Sequence, residues 1–135
     1  MENCVFFHLH LEPNQNIILE NEHCLFLQLT DSQQQGIPLA GAGVIIPKRH
    51  AETVFDLTQG EWQSTYALLH EAKKFLDDTD QPDGYNVGWN SGEIAGQHIM
   101  HAHLHVLPRY ADETLAYKGI RYMFKNQSNR RVTKK

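Results

Sequence analysis

The sequence contains no apolar run of about 18 residues, the length that a membrane-spanning helix requires. Its first ten residues also lack the basic start and the long apolar stretch of a secretory signal. Only two cysteines, Cys4 and Cys24, are present, too few for the dense framework of a disulfide-stabilised domain. We therefore expect a reduced, cytoplasmic protein without a membrane partner.

An excess of positive charge is also missing. Twelve Lys and Arg stand against sixteen Asp and Glu, which gives a formal net charge of −4. Domains that track the phosphates of nucleic acids are usually basic, so we expect no nucleic-acid partner. The same balance leaves room for a small phosphorylated ligand, which needs only a few well-placed donors.

The 135 residues suffice for one compact domain with a substantial core, since 41% of them are hydrophobic. We assign this domain to residues 1–125. Residues 126–135 have Val132 as their only aliphatic residue and carry four basic side chains. We expect this basic tail to be mobile.

Short apolar runs between polar, Pro-containing or Gly-containing segments predict strands. These runs cover residues 5–11, 16–20, 24–29, 43–46, 85–89 and 99–107.

A capping box formed by Thr58 and Glu61 predicts the start of the one long helix. Apolar residues then recur every three or four positions, and residues 77–84, with Pro82 and Gly84, should end the helix. The predicted buried stripe is Trp62, Tyr66, Leu69, Ala72, Phe75 and Leu76. One helix among several strands indicates an α+β fold with a mainly antiparallel sheet.

Histidine is the unusual residue, because four of the nine histidines lie between positions 98 and 105. In an extended strand His101, His103 and His105 share one face. The intervening residues form the other, apolar face, which we expect to pack on the core: Met100, Ala102, Leu104 and Val106.

Three interpretations of this row of imidazoles are open. The first is a polar strand face, which would more naturally mix Thr, Lys and Glu. The second is a metal site, although His101 and His105 lie about 13 Å apart at Cα on a regular strand, so a metal would need other ligands. The third is nucleophilic and acid–base catalysis on a phosphate, because imidazole is largely neutral at neutral pH. The spacing alone does not decide between the second and the third.

The pattern His-x-His-x-His, preceded by Gly96-Gln97 and followed by Leu107-Pro108-Arg109, resembles the signature of the histidine triad (HIT) superfamily. The stretch from Val44 to His50 resembles the strand and the following histidine of many members, and the likeness extends over about residues 4–125. It implies an antiparallel sheet of about five strands, one long helix and a short C-terminal helix. It also implies a homodimer in which two sheets become continuous.

The resemblance implies a set of catalytic roles. His103 would attack the α-phosphorus of a nucleotide and form a nucleotidyl-histidine that water then hydrolyses. His105 would contact the α-phosphate and the leaving atom, and His101 would orient His103 through its backbone carbonyl. His50 would complete the acid–base network, and no cofactor would be required.

It also implies substrate contacts. Asn90 and Gln97 would contact phosphate oxygens, although residues 90–97 can equally be a plain hairpin connection. Position 98 commonly holds a hydroxyl residue that binds phosphate, and here it is His98. Gln28 is the candidate for the ribose hydroxyls. Arg109 is either a contact for a polyphosphate or a structural arginine beside Pro108.

Some bacterial relatives bind a structural zinc through Cys-x-x-Cys near the N-terminus. This chain reads Cys4-Val5-Phe6-Phe7, so the second cysteine is missing. Cys4 with His8 or His10 is the ligand set that remains, and we expect no metal.

In the nucleotidyl-transferase branch of the superfamily a glutamine replaces the third histidine. His105 therefore favours hydrolysis. Residues 107–109 and 118–122 resemble the bacterial diadenosine tetraphosphate hydrolases of the superfamily, which makes a dinucleoside polyphosphate the expected substrate. Three alternatives stay open: a nucleoside phosphoramidate hydrolase, a nucleotide-binding protein that acts through partners, and a metal-dependent hydrolase that uses the same histidines.

Overall fold

The computed structural model describes residues 3–12, 15–29 and 39–132. Five strands form one antiparallel sheet in the order β1-β2-β3-β5-β4. The strands are β1 Gln15–Glu20, β2 Cys24–Leu29, β3 Gly43–Pro47, β4 Gly84–Trp89 and β5 Leu104–Arg109. The helices are α1 Gln59–Thr79 and α2 Ile120–Lys125. The expected α+β architecture, with one long helix and a short C-terminal helix, is confirmed. Within the described ranges, no helix has both the length and the apolar character needed to cross a membrane.

The strand predicted at residues 5–11 is wrong. This segment contains turns and a 3-10 helix over Leu9–Leu11. Its backbone groups bond within the segment, as in the hydrogen bond from His8 N to Cys4 O at 2.8 Å. Phe6 and Leu9 instead pack on one face of the sheet.

Helix α1 begins where the capping box predicts. Thr58 Oγ1 accepts from Glu61 N at 3.1 Å, and Glu61 Oε1 accepts from Thr58 N at 2.8 Å. The helix runs to Thr79 and so extends into the segment expected to end it.

The predicted buried stripe of α1 is correct only in part. Ala72 and Leu76 are buried, whereas Trp62 and Tyr66 are 47% and 68% exposed. The polar residues Glu61 and Thr65 occupy the inner face in the first turns. They are satisfied there by Arg49, which pairs with the carboxylate of Glu61 at 2.9 Å, and by backbone and thiol contacts of Thr65.

The sheet has two covered faces. Helix α1 packs Leu68, Ala72 and Leu76 on one face, which buries Phe26, Ile45, Leu104 and Val106 between them. Alternation along the strands places the neighbouring residues on the other face, where Leu25, Leu27 and Ile46 contact Phe6 and Leu9. This second face carries the cleft described below.

Strand β5 is shorter at its start than the predicted 99–107. Residues 97–103 cross the end of β3 in irregular conformation, held by the hydrogen bond from Ala102 N to Ala51 O at 2.7 Å. Met100 is 41% exposed and does not join the core, whereas Ala102, Leu104 and Val106 are buried as expected. Beyond α2, residues Gln127–Asn129 form a 3-10 turn. The mobility of the basic tail stays a prediction, and residues 133–135 lie outside the described ranges.

Candidate active site

A cleft of about 280 Å³ lies on the sheet face opposite α1. It crosses β2, β3 and β5 and reaches the loop before β5. Its apolar part includes Phe6, Leu27 and Val44, and His103 and His105 lie at its β5 side. The remaining lining residues are Gln15, Gln28, Ala42, Gly43, Gly96, His98, Ile99 and Leu107.

His103 is held in one tautomer by the backbone. Its Nδ1 lies 2.8 Å from the carbonyl oxygen of His101. A carbonyl only accepts hydrogen bonds, so Nδ1 carries the hydrogen and Nε2 keeps its lone pair. Burial lowers the pKa of His103 below the ordinary histidine value, although the bond to the carbonyl partly offsets this effect. The ring is therefore a neutral base at neutral pH, which is the form a nucleophile requires.

His101 lies behind the cleft and not on its lining. Its ring is fully buried, and Nε2 donates to the carbonyl oxygen of Pro47 at 2.8 Å. Its Nδ1 lies 3.5 Å from Cys4 Sγ, so the thiol donates to it. Burial lowers the pKa of His101 to about 4. The prediction that all three triad histidines share one face is wrong, because only His105 lies within the regular part of β5.

His105 and His50 flank these two rings. The ring centroids of His105 and His103 are 4.8 Å apart, and burial also lowers the pKa of His105. His50 stacks on His101 with centroids 4.9 Å apart and planes inclined by 19°. The Nδ1 atom of His50 is buried and, among the described residues, has no hydrogen-bond partner. The four predicted catalytic residues are thus brought together.

Two of the predicted substrate contacts line the cleft. Gln28 lies on β2 and donates from Nε2 to Gly41 O at 3.0 Å. His98 is exposed at the rim and close enough to His103 for its charge to affect the pKa of that ring. Asn90 is half-buried just outside this set, and its Nδ2 lies 3.4 Å from Gly96 O.

Gln97 is placed differently from its predicted role. It is fully buried, and its Nε2 donates to Glu52 O at 2.7 Å and to Ile99 O at 3.0 Å. Its Oε1 accepts from Gly92 N at 2.8 Å. These bonds occupy the amide, so the side chain is not available to a phosphate. Gln97 instead fixes the loop that carries His98.

Arg109 also lies outside the cleft lining. Its guanidinium pairs with Glu113 at 2.9 Å and donates to Asn86 Oδ1. It also donates to the backbone oxygens of Leu115 and Lys118, each at 2.8 Å. This placement favours the structural interpretation of Arg109 over the substrate contact.

The sequence interpretation missed the contribution of the N-terminal segment. Phe6 packs edge-on against His103 with ring centroids 5.0 Å apart, and Cys4 is the hydrogen-bond partner of His101. Neither contact has a signal in the sequence, because more than ninety residues separate the partners.

One group of residues in the described ranges has metal-binding geometry. The ligand atoms of Cys4, His50 and His101 all lie within 4.8 Å of one another. A thiolate and two imidazoles suit zinc, and the partnerless Nδ1 of His50 fits such a role. The set uses neither His8 nor His10, the two histidines that the sequence left as partners for Cys4. That the chemistry needs no metal stays a prediction.

Taken together, the fold and the imidazole cluster define a small α+β domain with a neutral histidine, held in one tautomer, at a cleft. The HIT domain profile matches residues 7–112, and the chain belongs to this family. It is 31% identical over 111 residues to Protein hit of Bacillus subtilis, which covers 81% of this chain and 72% of that protein. A HIT family protein of Bacillus anthracis, at 27% identity, superimposes with a TM-score of 0.70 over 95% of this chain and 92% of that chain.

Two relatives from Schizosaccharomyces pombe carry enzyme names. The adenosine 5'-monophosphoramidase is 32% identical over 73 residues, which is 54% of this chain and 52% of that protein. The asymmetrical bis(5'-nucleosyl)-tetraphosphatase is 26% identical over 95 residues, which is 67% of this chain and 50% of that protein.

Proposed function

We propose that this protein is a nucleotide hydrolase that cleaves dinucleoside polyphosphates at the α-phosphate through a nucleotidyl-His103 intermediate. The observation that carries the proposal is the fixed tautomer of His103. Its Nδ1 hydrogen is bonded to the His101 carbonyl, and its Nε2 lone pair is left for a phosphorus atom.

In the first step Nε2 of His103 attacks the α-phosphorus. An N–P bond forms, and the bond from phosphorus to the bridging oxygen breaks. The leaving nucleoside polyphosphate takes the electron pair of that bond. The positive charge that develops on the ring is stabilised through Nδ1–H by the His101 carbonyl, which already accepts its hydrogen bond at 2.8 Å.

His105 supports both steps. Its ring lies beside His103, with centroids 4.8 Å apart, at the same end of the cleft. An N–H of this imidazole can donate to a phosphoryl oxygen or to the bridging oxygen. In the second step water attacks phosphorus, the N–P bond breaks, and a nucleoside monophosphate is released with regenerated His103.

A second group of side chains lies behind the reacting atoms and positions His103: His101, Cys4 and His50. The neutral His101 ring fixes the backbone oxygen that orients His103, because its own Nε2–H is bound to Pro47 O. If zinc were bound, Cys4, His50 and His101 would hold it. The zinc would then fix the positions of these three side chains behind His103.

The shape of the cleft supports a nucleotide as the substrate. Its apolar part suits a base and a sugar, and the imidazoles lie at the β5 side. The similarity to an enzyme named as a tetraphosphatase supports a dinucleoside polyphosphate. The similarity to an enzyme named as a phosphoramidase supports the alternative substrate, a nucleoside phosphoramidate.

We also propose a homodimer. Strand β4 is at the edge of the sheet, and Val87 on it is 40% exposed. Trp62 and Tyr66 present large exposed rings on α1, and Trp62 contacts Trp89 of β4. An open strand edge beside exposed aromatic rings is typical of a surface that a second copy covers.

The test is a product assay with purified protein, using diadenosine tetraphosphate and adenosine phosphoramidate in parallel. We expect release of AMP that chelator does not reduce and that His103→Ala abolishes. The ratio of the two rates identifies the substrate class. The exposed His70→Gln variant on α1 is the matched control and should retain full turnover.

Near-normal turnover in His103→Ala would contradict the covalent mechanism. Loss of activity in chelator would show that turnover depends on a metal and would contradict the metal-free reaction. If neither substrate were turned over and AMP still bound, the protein would instead be a nucleotide-binding protein that acts through partners.

A further inference from the structure

The positive charge of the chain is concentrated at its C-terminal end. Residues 114–135 carry seven of the twelve Lys and Arg and none of the sixteen Asp and Glu. The rest of the chain is therefore strongly acidic, and the net charge of −4 hides a cationic segment. Such a concentration attracts anions locally even when the protein as a whole is negative.

The Lys and Arg residues of this segment have no carboxylate partner in the described part of the chain. The ion pairs found there use Lys48, Arg49, Lys73 and Arg109 as the Lys or Arg partner. Lys118, Arg121 and Lys125 are all exposed. They surround a concavity of about 230 Å³ that also includes Tyr117, Gly119 and Tyr122. Their charge is thus available to an external anion.

Arg109 links the start of this segment to the sheet through hydrogen bonds. Its guanidinium binds the backbone oxygens of Leu115 and Lys118 and the side chain of Asn86 on β4. The ion pair with Glu113 holds the guanidinium in place. Arg109, the last residue of β5, is therefore a positioning residue for the start of the cationic segment.

The start of α2 lies on the same sheet face as the cleft. Gly88 of β4 pairs directly with His105 of β5, so the two share a face and are one strand spacing apart, about 5 Å. A Cβ placed on Gly88 would lie 3.9 Å from Ile120 Cδ1, so α2 rests on this glycine. The first turn of α2 consequently lies next to His105.

The order of the strands indicates how a nucleotide bound in the cleft would be oriented across the sheet. The apolar part of the cleft lies over β2 and β3, the imidazoles lie at β5, and β4 with α2 follows. A nucleoside over β2 and β3 with its α-phosphate at His103 and His105 has its further phosphates directed toward α2.

We infer that Lys118, Arg121 and Lys125 form a subsite for the phosphates beyond the α-phosphate, which belong to the leaving group. This inference rests on the proposed function and specifies its substrate: a nucleotide with a polyphosphate chain. Exposed ammonium and guanidinium groups bind such a chain with modest energy each, and three together give a clear preference over a single phosphate.

The test compares the affinities of ATP and AMP, measured by titration calorimetry at low ionic strength on the full chain. We expect wild-type protein to bind ATP about tenfold more tightly than AMP. The Lys118→Gln/Arg121→Gln/Lys125→Gln variant should reduce this preference to within about twofold and leave AMP affinity unchanged.

A control variant removes the same number of charges outside the concavity, one on α1 and two further along the cationic segment: Lys74→Gln/Arg130→Gln/Arg131→Gln. Lys74 is exposed on α1, and Arg130 and Arg131 follow α2. The control should keep the preference for ATP. An equal loss in the control would show a general charge effect and overturn the inference, as would no preference in wild type or no loss in the α2 variant.

The binding assay needs no turnover, so its outcome is separate from that of the proposed function. A protein that prefers ATP through these residues but hydrolyses nothing would overturn the hydrolase proposal and keep the subsite. Unchanged AMP affinity in the α2 variant shows that the cleft is still folded.

Discussion

Acidification from pH 7 to pH 4 should destabilise this protein through His101. The ring is fully buried, and its pKa in the folded protein is about 4. In the unfolded chain the same group has the ordinary histidine pKa of about 6.5. Between these values the unfolded chain binds a proton that the folded protein does not, so unfolding becomes more favourable as the pH falls.

The size of the effect follows from the difference in pKa. A gap of about 2.5 units corresponds to about 3 kcal/mol of unfolding free energy. This stabilising contribution is fully present above pH 6.5 and is lost progressively as the pH falls toward 4. It is a large share of the 5–15 kcal/mol that typically separates folded and unfolded states.

Urea unfolding of wild type and His101→Gln at a series of pH values measures this effect. Glutamine keeps an N–H donor for Pro47 O but does not titrate. Wild type should lose about 3 kcal/mol more than the variant between pH 7 and pH 4. The His70→Gln control, which alters an exposed histidine, should follow the wild-type curve. Parallel curves for wild type and His101→Gln would refute the reasoning.

Three further predictions concern other parts of the molecule. Arg109→Lys should lower the unfolding free energy by about 2 kcal/mol in urea titrations, because lysine keeps the charge but cannot reproduce the several guanidinium bonds; an unchanged midpoint would show that these bonds contribute nothing. In a pH–rate profile kcat/KM should be level from pH 8 to 6.5 and fall only below it, since burial lowers the pKa of His103 and His105; a fall that begins above pH 7 would contradict this. Removing residues 126–135 should leave turnover nearly unchanged in the product assay, because that tail carries none of the triad motif; a large loss would mean that the tail covers the substrate.

Local signals in the sequence were enough for much of the fold. The capping box at Thr58 places the start of α1, and the apolar alternation of Leu104 and Val106 places β5 on the core. These features depend on residues within a few positions of one another. They are therefore visible in a single sequence.

The errors concern residues whose role depends on distant partners. Glu61 and Thr65 occupy the inner face of α1 because Arg49 and Cys24 meet them there, so the hydrophobic period alone misplaced Trp62. The side-chain amide of Gln97 is hydrogen-bonded to backbone groups of residues 52, 92 and 99. No local sequence pattern indicates these bonds.

The candidate site shows the same division. The spacing of the histidines and the resemblance correctly predict that His103 and His105 lie at the cleft. The position of His101 behind the cleft depends on the irregular backbone before β5, which the spacing does not predict. The link from Cys4 to His101 joins the two ends of the domain in sequence. The structural role of Arg109 depends on its hydrogen bonds to Leu115 and Lys118, which the sequence does not indicate.

The central claim is that His103 forms a covalent bond to the α-phosphorus, and trapping that intermediate tests it most directly. Wild-type protein would be mixed with diadenosine tetraphosphate, quenched in alkali within one turnover and analysed by peptide mass spectrometry. We predict an adenylyl group on His103 that is stable in alkali, labile in acid and absent from His103→Ala. Full turnover with no adenylylated protein at any quench time would contradict the account.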